Sequence, residues 1–154
     1  MNSTAQSQFL RIYSGDLDRL RCQNFYPART VSWQDQPWSY VPFMADGIVA
    51  GDLSAEGSMT VGMPATAVVL QALQTALQYG DLVEIRQYEF DRQAATDEPP
   101  SGQLLVASYL GEVVGLSSRF TWMEVQLGSA LSPIGVQIPP RTMTSQLIGV
   151  PCQL

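Results

Sequence analysis

Short segments in which apolar and polar residues alternate recur along most of this chain, and they constrain its fold more than any other feature. The clearest is 81–91, DLVEIRQYEFD, where every second residue shares one side of an extended strand. Similar patterns predict further strands at 8–14, 19–25, 29–33, 38–41, 58–63, 104–109 and 113–126. These strands follow one another without intervening helices, which indicates an antiparallel barrel or sandwich.

One segment has helical periodicity instead. Between 65 and 79, ATAVVLQALQTALQY, the residues Val69, Leu73 and Ala76 recur at helical spacing. Pro64 suits the first turn of a helix, and Gly80 is a residue that ends helices in the left-handed conformation. The sequence therefore predicts a mainly β fold with one inserted α-helix around 65–79.

Three glutamines, Gln71, Gln74 and Gln78, lie on the side of the predicted helix opposite its apolar residues. Exposure to solvent is the default interpretation of such an uncharged face. The alternative is that the face packs against a partner, and the three glutamines are candidate partner contacts.

Glycines and prolines divide the remaining chain. Gly15 and Asp16 predict a turn between the first two strands, and 35–37, Asp-Gln-Pro, predicts a second hairpin. Gly111 and Gly115 predict a hairpin or bulge within the long β segment near the end. The composition of 94–102 is typical of an exposed loop.

The last part of the chain differs from the rest. Residues 127–154 contain four prolines, three glycines and one charge, Arg141, which predicts extended, irregular structure. Such a segment cannot satisfy its own backbone, so we expect it to pack on the domain or on a neighbouring subunit. The sequence therefore predicts a single β domain over 1–126 and an extended tail over 127–154. Candidate inter-subunit contacts in the tail are Arg141, Leu147, Ile148, Val150 and Pro151.

Charge is scarce. Charged residues make up 14% of the chain, all eight basic residues are arginines, and the net charge is −6. Typical soluble domains contain about 25% charged residues, and lysine is depleted in protein interfaces. A surface covered by partners fits this composition, as does an acidic, lysine-poor source proteome.

Scattered arginines and a negative net charge argue against nucleic-acid binding. Proline and glutamines interrupt the uncharged run 57–80, so no membrane span is predicted.

The residues of most catalytic sites are missing. Without histidine and lysine, the chain has no Ser-His-Asp or Cys-His pair and no Schiff-base lysine, so we predict that it is not an enzyme. Asp46, Asp52 and Glu56 could form a carboxylate hydrolase site or a calcium site. Aspartate beside glycine is, however, what turns require, and turn chemistry is the favoured interpretation.

Two further groups have both a structural and a functional interpretation. Trp33, Trp38 and Tyr40 could stack on a sugar, although neighbouring aromatics on adjacent strands more often pair to fix a sheet. Cys22 and Cys152 could form a disulfide, although two separate buried thiols are the favoured interpretation. Neither group predicts a cofactor or a metal.

The order of several motifs resembles the N-terminal domain of the phage minor tail protein L family, and a related family of short phage-tail proteins. A hairpin with Trp33 and Tyr40 ends at Pro42, and Met59-Thr60-Val61 is similar to the family's L-T-V strand. The helix ending at Gly80 and the strand 83–90 follow in the family's order. The segment IPPRTMTSQLIGVPC is similar to the closing motif, although its phenylalanine is missing and its proline is displaced.

The resemblance implies a tail-tube-like or hub-like β-barrel in a phage tail tip or baseplate. Such a protein would form a ring of three or six copies between the tail-tube or distal tail protein and the central hub or fibre-bearing protein. The tape measure protein is a further candidate partner. The chain would be assembled in the host cytoplasm and reside in the virion tail. It stops before the family's cysteine-rich iron–sulfur segment, so no cofactor is expected. The alternative is a β-barrel module unrelated to virions that binds a small ligand or a peptide.

Overall fold

The computed structural model describes residues 3–46, 59–94 and 97–129. These residues contain nine strands and one α-helix, together with a short 3-10 helix at Arg92–Ala94. The strands are β1 Thr4–Ser14, β2 Leu17–Gln23, β3 Thr30–Trp33, β4 Gln36–Tyr40, β5 Met44–Asp46, β6 Met59–Pro64, β7 Leu82–Asp91, β8 Leu104–Arg119 and β9 Trp122–Ser129. The helix, α1, spans Ala67–Tyr79. The predicted mainly β fold with one inserted helix is confirmed.

The strands form a single sheet in the order β3-β4-β2-β1-β7-β8-β9-β6-β5. All neighbours are antiparallel except β2 and β4. Within the described residues, the end strands β3 and β5 do not pair with each other, so the sheet is open and is not the barrel or sandwich that we predicted. On the outer side of β3, one backbone group has a local partner, because the Ser32 N–H donates to the Glu98 carboxylate at 2.7 Å. An ion pair of 2.6 Å joins Arg29 to Asp97 beside it, and this loop covers the edge of the sheet.

The main core lies between the sheet and α1. Alternate residues of the strands face the helix, as β-strand geometry requires, and Ile12, Ile85 and Leu127 are completely buried there. The helix contributes Val69, Ala72, Leu73 and Ala76. Alternate residues of β6, Met59, Val61 and Met63, belong to the same core.

The helix begins two residues later than predicted. Pro64 is the last residue of β6, and the Thr66 hydroxyl caps the helix by accepting a hydrogen bond from the Val69 N–H at 3.4 Å. Gly80 ends the helix in the left-handed conformation with a φ of 69°, as predicted.

Of the two glycines predicted to form a hairpin or bulge in the long β segment, one lies at a bulge. Gly111 does not reverse the chain, because β8 runs unbroken through it, and a bulge near Gly115 accounts for the second glycine. Position 111 has no room for a side chain, because a Cβ on Gly111 would lie 2.5 Å from the Gly128 carbonyl oxygen. The reversal falls at Phe120 and Thr121 instead. Strand β9 continues to Ser129, so 127–129 of the predicted tail belong to the sheet, and the rest of the tail lies outside the described residues.

A smaller core lies on the opposite face of the sheet, where the β3–β4 hairpin folds over β1 and β7. It contains Phe9, Tyr26, Val31, Trp38 and Tyr88. The hairpin reverses at Gln34 and Asp35, whose φ angles are 53° and 61°. We predicted the reversal at 35–37, but Gln36 and Pro37 already belong to β4.

Candidate functional site

The outward face of α1 carries the three glutamines that the sequence singled out. Gln71, Gln74 and Gln78 are all exposed. Large apolar side chains share the exposed surface of the helix: Val68 is 65% exposed and Tyr79 is 67% exposed. No residue of α1 is charged. The glutamines are therefore accessible, and their contact with a partner stays a prediction.

A groove runs between this helix face and the start of β2, and we call it the α1 groove. Its volume is about 280 Å³, and its walls include Leu17, Val68, Gln71, Ala72 and Thr75. Leu17 is 58% exposed, so apolar surface is open to solvent on both sides of the groove. At the far end, Arg19 forms an ion pair with the buried Asp81, and its guanidinium lies 5.9 Å from the Tyr79 ring centre.

The tail residues predicted to contact a neighbouring subunit lie outside the described residues. These are Arg141, Leu147, Ile148, Val150 and Pro151. Their role stays a prediction.

A larger cleft, of about 400 Å³, opens on the sheet face opposite α1. One wall is aromatic: the ring centres of Phe9 and Trp38 lie 5.1 Å apart, and those of Trp33 and Tyr88 lie 5.5 Å apart, both pairs edge to face. The Trp38 Nε1–H donates to the Trp33 carbonyl oxygen at 3.0 Å. The two tryptophans therefore fix the β3–β4 hairpin on the sheet, which is the structural interpretation of this cluster. Tyr40 is outside the small core that they form.

The other wall of the cleft is charged. Asp18 forms ion pairs with both Arg11, at 2.7 Å, and Arg21. Arg86 pairs with Glu84 at 2.8 Å. Burial lowers the pKa of Arg86, but the charge of Glu84 and hydrogen bonds raise it by more, so the net shift is upward and the guanidinium stays charged. Guanidinium groups beside aromatic rings can bind an anionic or planar ligand.

The sequence did not single out these charged residues. Arg11 lies directly opposite Arg21 across β1 and β2, and opposite Glu84 across β1 and β7. The first neighbour could have been found from the predicted β1–β2 hairpin, because its register places both arginines on one face. The second could not, because nothing in the sequence pairs β1 with β7.

Cys22 is a free thiol buried in the main core, and burial raises its pKa well above the usual value. A thiol in that state is a poor nucleophile. Cys152 lies outside the described residues, so the predicted choice between a disulfide and two separate thiols stays open.

The candidate carboxylates are only partly placed. Asp46 ends β5, opposite Thr60 of β6, while its side chain and the whole of Asp52 and Glu56 lie outside the described residues. In the part of the chain that the structure describes, no three cysteine or carboxylate side chains are grouped so as to hold a metal ion. No helix in that part combines the length and the apolar character that crossing a membrane requires.

No protein-family model and no curated protein matches this chain. The resemblance to phage-tail proteins therefore rests on the order of its sequence motifs, and what it implies stays a prediction.

Proposed function

We propose that this chain is a non-enzymatic structural protein of a phage tail tip or baseplate hub. It forms a ring with copies of itself and connects the tail tube or distal tail protein to the central hub or fibre-bearing protein. The ordered sequence motifs from Trp33 to Phe90 are the basis for the phage-tail assignment.

The observation that carries assembly is the outward face of α1. An ordinary exposed helix is covered with charged residues, yet this one presents glutamines together with Val68, Leu77 and Tyr79. Glutamine amides can form hydrogen bonds across an interface without the desolvation cost of a charge. A face of this kind is suited to burial against another protein.

Multi-angle light scattering of the purified chain tests the proposal. We expect a mass three or six times the 16.9 kDa of one chain, or a defined complex when a tail-tube or hub protein from the same genome is added. The variant Gln71→Glu/Gln74→Glu places two charges on the face and should shift the mass towards that of one chain. Gln93→Glu/Gln126→Glu places the same charges on exposed positions elsewhere and should leave the assembly unchanged.

The second candidate function is binding of a small ligand or peptide, and the cleft on the opposite face favours it. Its volume falls within the range of ligand sites, and the Trp33 Nε1–H beside it is buried without a partner in the described residues. A chain that stays monomeric with every tail protein tested would contradict the assembly role. The cleft would then be the site to screen with anionic and aromatic ligands.

A further inference from the structure

The tip of the β8–β9 hairpin carries a phenylalanine in an unfavourable position. Phe120 is 104% exposed, and its φ is 50°. The left-handed conformation costs an L-residue roughly 1–2 kcal/mol, and a fully exposed ring gains nothing from burial. Its neighbours Arg119 and Thr121 are exposed as well. Within the described residues, therefore, no contact of the ring accounts for a phenylalanine at this turn.

The tip is nevertheless held in place. The Thr121 carbonyl oxygen accepts a hydrogen bond of 2.8 Å from the Ala65 N–H, just before α1 begins. The last residues of β8 and the first of β9 are paired up to Arg119 and Trp122. The ring is thus presented on an ordered turn, which lowers the entropy lost when a partner covers it.

The α1 groove has the size and polarity to receive such a ring. A cavity of about 150 Å³ is enough to hold benzene, and the groove measures about 280 Å³. The exposed Leu17 and Val68 side chains would contact the ring, while Gln71 and Thr75 add polar groups without charge.

The groove also carries two charged residues, Asp18 and Arg19. Asp18 is paired with Arg11 and Arg21, and Arg19 is paired with Asp81. Because these charges already have partners within the same chain, the groove can receive an apolar ring without leaving either of them unpaired.

We infer that Phe120 of one copy inserts into the α1 groove of a neighbouring copy. The inference rests on the proposed self-assembly and names its contact. The contact joins two different patches of the same chain, and heterologous contacts of this kind close into a ring when the rotation between neighbouring copies divides a full turn. Aromatic side chains that fill a partner's pocket are typical anchors of an interface.

Matched variants of both sides test the contact. Phe120→Asn removes the ring but keeps a residue that tolerates the left-handed turn, and it should weaken self-association at least about 30-fold, as measured by sedimentation. Phe120→Trp keeps an aromatic anchor and should assemble. On the groove side, Val68→Glu should weaken self-association, whereas Val114→Glu should not, although Val114 is similarly exposed at 60%.

Cross-linking tests the pairing directly. In a Cys152→Ser background, a mixture of the Phe120→Cys and Val68→Cys proteins should form a disulfide-linked heterodimer, and a mixture of Phe120→Cys and Val114→Cys should not. If the wild type assembles but Phe120→Asn and Val68→Glu assemble equally well, the contact is wrong and the proposed function stands. A wild type that assembles only with another tail protein also overturns this contact, and one that never assembles overturns both proposals.

Discussion

The β1–β2 and β8–β9 hairpins reverse the chain over two residues each. In one turn the residue type suits the backbone conformation, and in the other it does not. The first turn residue has a positive φ in both, 58° at Gly15 and 50° at Phe120. Glycine adopts this conformation without strain, whereas phenylalanine does not. At Gly15 the residue type therefore matches the backbone that the fold requires, and at Phe120 it conflicts with it.

The difference separates a residue required by folding from one that folding does not explain. Local preference and global fold agree over most of a natural protein, and exceptions concentrate at functional positions. Gly15 lies at a turn whose positive φ its residue type explains. Phe120 lies at a turn whose side chain projects entirely into solvent, which is why we assign it an interaction rather than a structural role.

The largest loss of stability is expected at the base of the β8–β9 hairpin. Glycine is required there because a side chain has no room, and not because φ is positive. A Cβ at Gly111 would lie 2.5 Å from the Gly128 carbonyl oxygen and 2.7 Å from the Tyr109 ring. Because the backbone atom cannot move aside without breaking the strand pairing, Gly111→Ala should lower the free energy of unfolding by about 3 kcal/mol. Urea denaturation measures this.

Gly102 provides the matched control, because nothing lies within 4 Å of a Cβ built there. Gly102→Ala should leave the free energy of unfolding within about 0.5 kcal/mol of the wild-type value. Equal losses at the two positions would contradict the packing role of Gly111.

An intermediate loss of stability is expected at Gly15. Glycine is favoured there by its positive φ, and not by a lack of room for a side chain. Nothing lies within 4 Å of a Cβ at this position. Gly15→Ala should therefore lower the free energy of unfolding by about 1 kcal/mol through backbone strain alone. Gly15→Asn should lose less, because asparagine tolerates the left-handed region. If alanine and asparagine were equally destabilising in urea denaturation, backbone strain would not be the cause.

The same two hairpins show how far the sequence predicts the fold. Gly15 and Asp16 correctly predicted the β1–β2 turn, and the helix ended at Gly80 as expected, because both are local effects of backbone preference. The β8–β9 turn was missed, because Gly111 and Gly115 were more obvious breaks than Phe120. Their actual roles, close packing and a bulge, depend on the strand that lies beside them.

The candidate sites depend even more on contacts between distant parts of the chain. The glutamine face of α1 could be predicted, since helical spacing alone determines it. The α1 groove could not, because it forms only where the helix lies beside Leu17, about fifty residues earlier in the chain. The arginines of the opposite cleft likewise come together through the pairing of β1 with β7.

The smallest effect is expected at Phe120 itself. Phe120→Gly removes a strain of about 1 kcal/mol, and the greater freedom of glycine in the unfolded chain offsets much of that gain. The free energy of unfolding of the monomer, measured at a concentration below that of self-association, should therefore equal or slightly exceed the wild-type value. A loss above about 1 kcal/mol would mean that the ring stabilises its own chain. The two turns would then differ only in how they are stabilised, and the tip would lose its distinction as an interaction site.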